Sequence, residues 1–288
     1  MKISFIIPVY NDEVSLKKLI ENIKIELKNF TLHFIIIDDC SEDNFESLKN
    51  ISQIDIVTLL NNQGSQKAIS VGLNYTLGEK IDFDYLIVMD SDGEDKPVDL
   101  NLLIEQAIKD NNFIIFASRK KRLEIFMFKF FYFTYRFLFR FLTGKKINFG
   151  NFSCIPKKLL KDTAKTSYIN FHYPAAIIKS KHKYKTIPCD KGSRYAGQSK
   201  MSFFNLFFHA LKSLSIFYKE IFIRFVTFFF ISNCVILLSL KMELAIVINI
   251  LVITPVAIFF LYLRNLINRE NLIDNTNYRS HIKNIKSI

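Results

Sequence analysis

The sequence predicts an α/β domain followed by a membrane-associated part, and three observations lead to this fold class. Short apolar runs recur through the first 118 residues. Segments in which apolar residues have helical spacing lie between those runs. Hydrophobic character then rises after Lys121 and dominates after Met201, in a chain of 288 residues of which 50% are hydrophobic and 30 are Phe. An ordinary soluble enzyme is less apolar than this, so we expect the second part to contact lipid.

Five apolar runs in the first part have the length of buried strands. They cover residues 3–9, 34–37, 54–60, 85–89 and 113–117. Because these runs are apolar throughout and alternate with helical segments, we expect a parallel sheet covered by helices on both faces. Ligands of such sheets bind beyond the carboxyl ends of the strands. The polar clusters PVYND, DDCSED and DSDGED follow three of the runs, so the sequence predicts a binding site at that edge.

Cysteine, histidine and charge content exclude several other classes of protein. The four cysteines form no CxxC pair and the five histidines lack the HExxH spacing, so neither a disulfide framework nor a zinc site is expected. The chain begins with a strand-like KISFIIPVY in place of a signal peptide, and we therefore expect reducing, cytoplasmic surroundings. The net charge of +12 suits anionic lipid, nucleic acid or a phosphorylated substrate without choosing between them.

Two apolar stretches, 221–240 and 244–263, each have the length of a helix that spans a bilayer. Only three residues, 241–243, separate them, so the sequence predicts a tight transmembrane hairpin. Cations precede the first stretch and follow the second, which by the positive-inside rule puts the sheet domain and both termini in the cytoplasm. The alternative is a pair of buried helices in a soluble core, and the apolarity of two consecutive stretches favours the membrane.

Residues 122–142 predict an amphipathic helix at the membrane surface. Four cations fall on one narrow stripe of a helix otherwise built mostly of Phe, Leu, Tyr and Ile: Arg122, Lys129, Arg136 and Arg140. A spanning helix would bury these charges in hydrocarbon, whereas a helix in the headgroup layer directs them at the phosphates of anionic lipid. Nucleic-acid binding is disfavoured, because the aromatic residues form a continuous apolar face that a nucleic acid would not cover.

The acidic cluster after the fourth run holds Asp90 and Asp92 one residue apart. In a loop both carboxylates can converge on a cation, and Mg²⁺ takes one or two protein carboxylates together with water and substrate phosphate oxygens. The D-x-D spacing therefore indicates a diphosphate-bearing substrate, although alone it is a weak signal. A calcium-binding EF-hand is excluded, because Asp95 and Asn101 replace the Gly and the Glu that its loop requires.

Two other interpretations of the same cluster are open at this point. Asp-x-Asp-Gly resembles the nucleophile motif of the haloacid-dehalogenase phosphatases, but Glu94 occupies its Thr/Val position and the motif follows the fourth strand. Such a phosphatase would form an aspartyl phosphate at Asp90. A helix cap before Pro97 would use Asp95 and leave the other three acids of the cluster without a role.

Six motifs in order point to one family. PVYND, IIIDDCSED, NNQGSQKAISVGL, VMDSDGEDKP, ASRKKR and GSRYAGQSK together resemble the family 2 glycosyltransferases of the polyprenyl-phosphate branch, such as dolichyl-phosphate mannose synthase and bacterial undecaprenyl-phosphate glycosyltransferases. The match runs from Lys2 to about Leu214. The resemblance implies a GT-A fold, a UDP- or GDP-sugar donor, Mg²⁺ or Mn²⁺, and transfer to a polyprenyl phosphate with inversion at the anomeric carbon.

The resemblance also implies roles for individual residues. The residues implied to bind the donor substrate are Pro8, Tyr10, Asp12, Ile37, Asp39, Asp90, Ser91, Arg119, Arg194 and Lys200. The implied metal ligands are Asp90, Asp92 and Glu94, and the implied catalytic residues are Asp90, Asp92 and Arg119. Metal, Arg and Lys around a leaving diphosphate would stabilise the charge that develops there in the transition state. A solvated basic loop is the alternative for Arg194 and Lys200, and their place just before the membrane helix favours a phosphate clamp.

The sequence departs from the family pattern at Asn151 and Ser153, where relatives often have Asp and Arg. Asn151 cannot act as a general base, which a sugar hydroxyl acceptor would need and an already anionic lipid phosphate would not. The departures therefore favour a lipid phosphate that is positioned and neutralised by the basic run 119–122. Transfer to a hydroxyl of a polysaccharide or lipid headgroup stays open, as does a nucleotide-sugar-binding protein with weakened catalysis.

The predicted organisation follows from these assignments. The parts are a nucleotide-sugar-binding half (1–118), an acceptor half with the surface helix (119–200), a juxtamembrane helix (201–220), two transmembrane helices (221–240 and 244–263) and a basic cytoplasmic tail (264–288). We expect a multi-pass protein of the cell inner membrane, with a nucleotide-sugar, a polyprenyl phosphate and anionic lipid as partners and no nucleic acid. The sequence leaves open the sugar, the base of the nucleotide and the oligomeric state, a homo-oligomer included.

Overall fold

A computed structural model describes residues 1–119, 126–180, 182–197, 203–239, 242–271 and 277–288. The chain divides into two compact units. The first comprises Met1–Lys129, Asn148–Met201 and Asp274–Ile288, and the second Phe130–Ile147 and Ser202–Ile273. The chain therefore passes from the first unit into the second and back twice.

The described residues form the following elements. The strands are β1 (Lys2–Val9), β2 (Thr31–Asp38), β3 (Ile54–Leu59), β4 (Tyr85–Val88), β5 (Ile114–Arg119), β6 (Phe149–Pro156), β7 (Tyr184–Cys189) and β8 (Ile282–Ser287). The helices are α1 (Glu13–Glu26), α2 (Ser65–Gly78), α3 (Leu100–Lys109), α4 (Phe126–Thr143), α5 (Leu160–Ala164), α6 (Tyr173–Lys179), α7 (Phe203–Ser215), α8 (Tyr218–Ser239) and α9 (Met242–Asn271). Each of the five apolar runs of the first part overlaps an observed strand.

The strands of the first unit make one sheet in the order β7-β5-β6-β4-β1-β2-β3-β8. β1 pairs in parallel with β2 and β4, and β2 pairs in parallel with β3, so the centre of the sheet is parallel. β6 runs antiparallel to β4 and β5, and β8 runs antiparallel to β3. The prediction of a parallel sheet therefore needs correction: the sheet is mixed, because β6 and β8 come from segments less apolar than the runs used to predict strands.

Helices cover both faces of the central strands, as predicted. Phe5 and Ile6 are consecutive in β1 and so point to opposite faces, and both are fully buried. On one face, α1 packs Leu16 into the cluster that contains Phe5. On the other face, a Cβ at Gly72 of α2 would lie 2.6 Å from Cγ2 of Ile6, so this glycine lets α2 approach the sheet closely.

The last residues of the chain return to the sheet as an edge strand. The backbones of Ile54 and Ile288 exchange both hydrogen bonds, at 2.8 and 3.2 Å, and Arg279 pairs with Glu79, the C-cap of α2, at 2.6 Å. The range 264–288 of the predicted basic tail thus includes the end of α9, which continues to Asn271, and the strand β8 of the sheet. The isoleucines of this segment recur at every third position, 282, 285 and 288, so a search for fully apolar runs misses β8.

In the second unit, α4 packs through one side on α7 and the turn after it. The hydroxyls of Tyr135 and Ser213 are hydrogen-bonded at 2.7 Å, and the ring of the fully buried Phe139 meets Phe217 at 5.4 Å. Outward-facing aromatic side chains on the two helices include Phe133, Phe137, Phe141 and Phe204, which are 61–72% exposed. Arg136 and Arg140 are exposed on α4, whereas the side chains of Arg122 and Lys129 lie outside the described part. On the described part of α4, exposed arginines thus lie beside exposed phenylalanines, and the place of this helix at a membrane surface stays a prediction.

Helices α8 and α9 pack antiparallel within the second unit. Phe222 contacts Phe260 at 5.1 Å near one end of the pair, and the amide of Asn249 donates to that of Asn233 further along. Within the described residues, one helical stretch is long and apolar enough to cross a membrane, Leu251–Asn268, and 11% of it is buried. The two predicted helices are therefore present, and the structure offers one candidate span for the predicted hairpin.

Candidate active site

The polar clusters after β1 and β2 meet at the carboxyl edge of the sheet. The backbone N–H of Asp39 donates to the carbonyl of Val9 at 2.9 Å, which joins the two strand ends. Asn11 donates its N–H to the Ser41 hydroxyl and accepts from the N–H of Glu42, both at 2.8 Å. The strand order reverses between β1 and β4, so this edge contains the switch point where ligands of such sheets bind.

Arg194 joins the cluster after β1 to the cluster after β4. Its Nη1 lies 2.6 Å from Oδ2 of Asp92, and its Nη2 lies 3.3 Å from Oδ2 of Asp12. The three side chains are only 14–21% exposed. Charge-assisted hydrogen bonds of this kind are the strong ones in proteins, and the planar guanidinium suits two carboxylates at once. Three sequence motifs that are far apart in the chain therefore converge on one cation.

Tyr195 anchors the segment that carries Arg194. Its N–H donates to the Asp92 carbonyl at 2.9 Å, its hydroxyl accepts from the Asn22 amide at 2.9 Å, and Lys18 lies over its ring at 5.0 Å. The ring rests against Gly93, which has a φ of +84° and where a Cβ would approach the ring to 2.5 Å. Only glycine combines a positive φ with no Cβ to collide with the ring. The contact between Gly93 and Tyr195 therefore joins the D-x-D-G loop to the segment of Arg194.

Asp90 is held by a chain of buried and half-buried amides. Nδ2 of Asn151 donates to Oδ1 of Asp90 at 3.1 Å, and Nε2 of Gln66 donates to Oδ1 of Asn151 at 3.1 Å. The backbone N–H of Tyr173 donates to Oε1 of Gln66 at 2.6 Å. These contacts connect the aspartate after β4 with the first turns of α2 and α6.

Asp95 does not cap a helix. Its Oδ2 accepts from the N–H of Asp90 at 3.1 Å, inside the acidic loop. The N-cap of the short 3-10 turn that follows is Lys96, and that of α3 is Asp99. The helix-cap interpretation of the acidic cluster is therefore wrong, and Asp95 stabilises the turn that presents Asp90.

Glu94 points to a different partner from the one that was predicted for it. Its carboxylate pairs with Lys191 at 2.9 Å. Among the residues that the structure describes, no group of three His, Cys, Asp or Glu lies close enough to hold a metal. Lys191 is thus the observed partner of Glu94, and the role of Glu94 at a metal with Asp90 and Asp92 stays a prediction.

Burial changes the acidity of two aspartates at this edge. Burial, with the negative charge of Asp90 second, raises the pKa of Asp92 from its ordinary 3.8 to about 6, against the opposing pull of Arg194. Burial also raises the pKa of Asp39, although the N–H groups of Gln63 and Gly64 counteract it. A divalent cation beside Asp92 would favour the ionised form and displace this proton.

We expect the affinity of the protein for Mn²⁺ to fall as the pH drops through about 6, the pKa of Asp92. The sign follows from competition, because below that pH Asp92 holds a proton and above it the carboxylate is ionised. Titrations that follow the paramagnetic resonance signal of free Mn²⁺ at a series of pH values would measure this. An affinity that is constant across the transition would contradict the prediction.

The remaining predicted residues lie as follows. Pro8 and Ile37 are buried register partners in β1 and β2, Ser91 is 8% exposed, and Tyr10 is 42% exposed just beyond β1. Both oxygens of Asp39 accept backbone N–H groups, from Gln63 at 2.7 Å and Gly64 at 2.8 Å. Arg119 ends β5, and its side chain and the whole of Lys200 lie outside the described residues. The structure thus brings Asp12, Asp90, Asp92 and Arg194 together.

Three residues at this edge received no role from the sequence: Gln66, Lys191 and Tyr195. Gln66 and Tyr195 belong to motifs that were recognised as wholes, so the motif itself was the available signal. Lys191 sits in no motif, and its contact with Glu94 is visible only in three dimensions.

The residues present fit a divalent cation held in part by its substrate. Asp90 and Asp92 supply two carboxylates, which matches the one or two that Mg²⁺ takes from proteins when phosphate oxygens and water complete its shell.

Two curated proteins resemble this chain over part of its length. An uncharacterized glycosyltransferase of Synechocystis sp. is 25% identical over 228 residues, which are 74% of this chain and 69% of that protein. An undecaprenyl-phosphate 4-deoxy-4-formamido-L-arabinose transferase of Yersinia enterocolitica is 34% identical over 114 residues, which are 37% of this chain and 33% of that protein. The chain thus spans from a third to about two thirds of the length of these relatives.

A solved structure and a family description agree with these matches. Glucosyl-3-phosphoglycerate synthase from Mycobacterium tuberculosis, in complex with Mn²⁺ and UDP-glucose, superposes with a TM-score of 0.53 at 13% identity, covering 76% of this chain and 78% of that one. This likeness confirms the GT-A-like fold. The description "Glycosyl transferase family 2" matches residues 4–162, more than half of the chain. With its motifs, its sheet and its carboxyl-edge site in agreement, the chain belongs to glycosyl transferase family 2.

Proposed function

We propose that this protein transfers a sugar from a UDP- or GDP-sugar to a polyprenyl phosphate at the inner face of a membrane, with inversion at the anomeric carbon. One observation carries the proposal: Arg194 bridges Asp12 and Asp92 at the switch point of the sheet. A cation and two carboxylates from three motifs form a polar centre where a nucleotide diphosphate would bind. The undecaprenyl-phosphate transferase among the relatives supports the choice of acceptor.

In this proposal the residues of the site have separate tasks. Asp90 and Asp92 would hold Mg²⁺ or Mn²⁺, which when bound would neutralise charge on the diphosphate. Once the donor binds, Arg194 would release the carboxylates of Asp12 and Asp92 and bind the diphosphate instead. Arg119 and Lys200 are proposed to bind phosphate as well, as the family resemblance implies. Each of these groups acts by stabilising the negative charge that develops as the sugar–phosphate bond breaks.

The surroundings of Asn151 support a phosphate acceptor over a hydroxyl acceptor. A hydroxyl must lose a proton as it attacks, and the residue where relatives often have Asp is here an amide that already donates to Asp90. An amide cannot accept that proton. A lipid phosphate is anionic at neutral pH and therefore needs positioning and neutralisation only.

The second unit supports attachment to a membrane. The outward-facing Phe side chains on α4 and α7 would enter the apolar layer while Arg136 and Arg140 bind the headgroups of anionic lipid. Leu251–Asn268 has the length and apolarity of a span. An amide pair such as Asn233 and Asn249 is an interaction that stabilises helix pairs in bilayers.

The path of the chain supports a hairpin in place of a single span. β8 lies in the same sheet as β1–β7, and the chain passes through the second unit between them. A single crossing would leave β8 on the opposite side of the membrane from the sheet it pairs with. We therefore propose that α8 crosses the bilayer together with α9, and the positive-inside rule would then put the sheet and Ile288 on the cytoplasmic side.

We therefore expect a protease epitope placed after Ile288 to resist digestion in intact spheroplasts and to be cut in inverted vesicles. An epitope inserted between α8 and α9 should show the opposite pattern, because the connection follows a single crossing and therefore lies outside. Cleavage of both epitopes from the same side would contradict the hairpin, and cleavage of the Ile288 epitope from outside would contradict the orientation.

The transfer itself is tested with radiolabelled donors. Membranes that contain the protein should move label from a UDP- or GDP-sugar into the organic phase when undecaprenyl phosphate and Mn²⁺ are supplied. Label that stays aqueous with every common donor would reject the proposal. Label that enters a polysaccharide or another lipid in its place would favour a hydroxyl acceptor.

A further inference from the structure

Gln66 and Asn151 form a relay of side-chain amides whose direction is fixed at one end. A backbone N–H can only donate, so the N–H of Tyr173 requires an oxygen from Gln66, at 2.6 Å. The amide nitrogen of Gln66 must then face Asn151, at 3.1 Å. The side-chain oxygen of Asn151 accepts this hydrogen bond, and its side-chain nitrogen donates to Oδ1 of Asp90 at 3.1 Å. The orientation of both amides follows from the hydrogen bonds and is not arbitrary.

We infer that Asn151 is a positioning residue for Asp90 and that Gln66 fixes the direction in which Asn151 donates. The inference rests on the proposed function, because it concerns the carboxylate proposed to bind the divalent cation. A donor on Oδ1 fixes the orientation of the Asp90 carboxylate beside Asp92. The departure from the family pattern at Asn151 therefore has a use: the position lacks a base and supplies a hydrogen-bond donor instead.

The relay is also protected from rearrangement. Gln66 is only 9% exposed and lies in the first turn of α2. Tyr173 is fully buried, and its hydroxyl is hydrogen-bonded to the Ser153 hydroxyl at 2.8 Å. The Ser153 hydroxyl also donates to the carbonyl of Asn151 at 3.0 Å. The backbone of Asn151 is therefore held by Ser153, and its side chain is held through Gln66 by the N–H of Tyr173.

The Gln66→Glu variant tests the direction of the relay with almost no change in shape. Glutamate has two acceptors, of which one takes the N–H of Tyr173 and the other needs a donor. Asn151 would then turn its nitrogen to residue 66 and present its oxygen to Asp90, which repels the carboxylate. The ionised form is favoured at this position by the N-terminus of α2.

We expect Gln66→Glu to weaken Mn²⁺ binding by about tenfold or more, the size of loss seen when partners that orient metal ligands are changed. Simple electrostatics predicts the opposite, because an added negative charge near Asp90 and Asp92 attracts a cation. Equal or tighter binding of Mn²⁺ by this variant would overturn the inference. Gln53→Glu is the matched control, since it adds the same charge at an exposed position before β3.

Asn151→Leu removes the donor without adding charge, and we expect it to weaken Mn²⁺ binding to a similar degree. In the double variant Gln66→Glu/Asn151→Leu, the glutamate has no amide left to turn and should cause no additional loss. Additive losses in the double variant would overturn the relay. If thermal melting shows that Gln66→Glu is unfolded, Asn151→Leu alone decides, and unchanged Mn²⁺ affinity there would overturn the role of Asn151.

Free Mn²⁺ is measured by paramagnetic resonance with UDP or GDP present, whose diphosphate would complete the shell of the cation, and the same nucleotide without protein is the blank. The measurement needs no sugar, acceptor or turnover. The measurement therefore distinguishes a failure of the amide relay from a failure of the proposed metal site. A wild-type protein that binds Mn²⁺ while the variants bind equally well overturns the relay and leaves the metal site standing. A wild-type protein that binds no Mn²⁺ overturns the metal site and the relay together.

Discussion

Asp92→Asn is expected to lower the rate of sugar transfer by about 10²–10³-fold, the loss typical of removing a group that stabilises charge in the transition state. The change removes a carboxylate proposed to hold the divalent cation and the partner of Arg194 at 2.6 Å. The local turn should survive, because an amide oxygen can still accept the N–H of Glu94, as Oδ1 of Asp92 does at 2.9 Å. Transfer of label from the donor to the lipid phase would measure the loss.

The same variant should not lose stability at neutral pH. The pKa of Asp92 is raised to about 6 in the folded protein, so folding favours the protonated form and the ionised form costs the folded state stability above that pH. A neutral amide removes this cost, and we expect an unchanged or higher melting temperature at neutral pH.

Asp82→Ala is the matched control for Asp92→Asn. Asp82 is 61% exposed and pairs only with side chains more than half exposed, Lys2 and Lys157, in the pairs that the structure describes. Exposed ion pairs contribute about 0–1 kcal/mol, so this variant should keep both activity and stability. Full transfer activity in Asp92→Asn, or a loss as large in Asp82→Ala, would contradict the role given to Asp92.

The centre of the fold was predictable because it leaves strong local signals. β1 and β4 are buried on both faces and so read as continuous apolar runs, and each ends in a polar cluster. Parallel strands bring their carboxyl ends to one edge, which placed Asp12 near Asp92 before any coordinates were considered. The order of the strands was not needed for that step.

The edges of the sheet were not predictable in the same way. β8 is exposed on most of its residues, and its sequence IKNIKS lacks the alternation of apolar and polar residues that marks a half-buried strand. What makes it a strand is pairing with β3, more than 220 residues earlier in the chain. The direction of β6 likewise depends on its two neighbours, because a buried strand has the same composition in a parallel and an antiparallel sheet.

Within the site, residue types were easier to predict than partners. The acids of the D-x-D loop were evident, but Glu94 could not be separated from Asp90 and Asp92 without knowing that Lys191 lies beside it. Asn151 was evident as a departure from the family pattern. Its partner Gln66 lies 85 residues away, and no spacing rule connects the two.

Arg194→Ala is expected to slow sugar transfer by about 10²-fold, because a cation that would neutralise the leaving diphosphate is lost. The same change should leave Mn²⁺ affinity unchanged or increase it. Arg194 occupies the Asp92 carboxylate at 2.6 Å, so the guanidinium and the divalent cation compete for one ligand. Opposite effects on transfer and on metal binding would distinguish a phosphate clamp from a residue that only supports the fold.

Two further variants complete the Arg194 experiment. Arg194→Lys keeps the charge but lacks the planar fork that reaches Asp12 and Asp92 together, so we expect activity between that of the wild type and of Arg194→Ala. Arg279→Ala is the control, because Arg279 is 68% exposed and pairs with Glu79 in the first unit at 2.6 Å. If Arg194→Ala weakens Mn²⁺ binding in proportion to transfer, the residue stabilises the metal loop and the clamp interpretation is wrong.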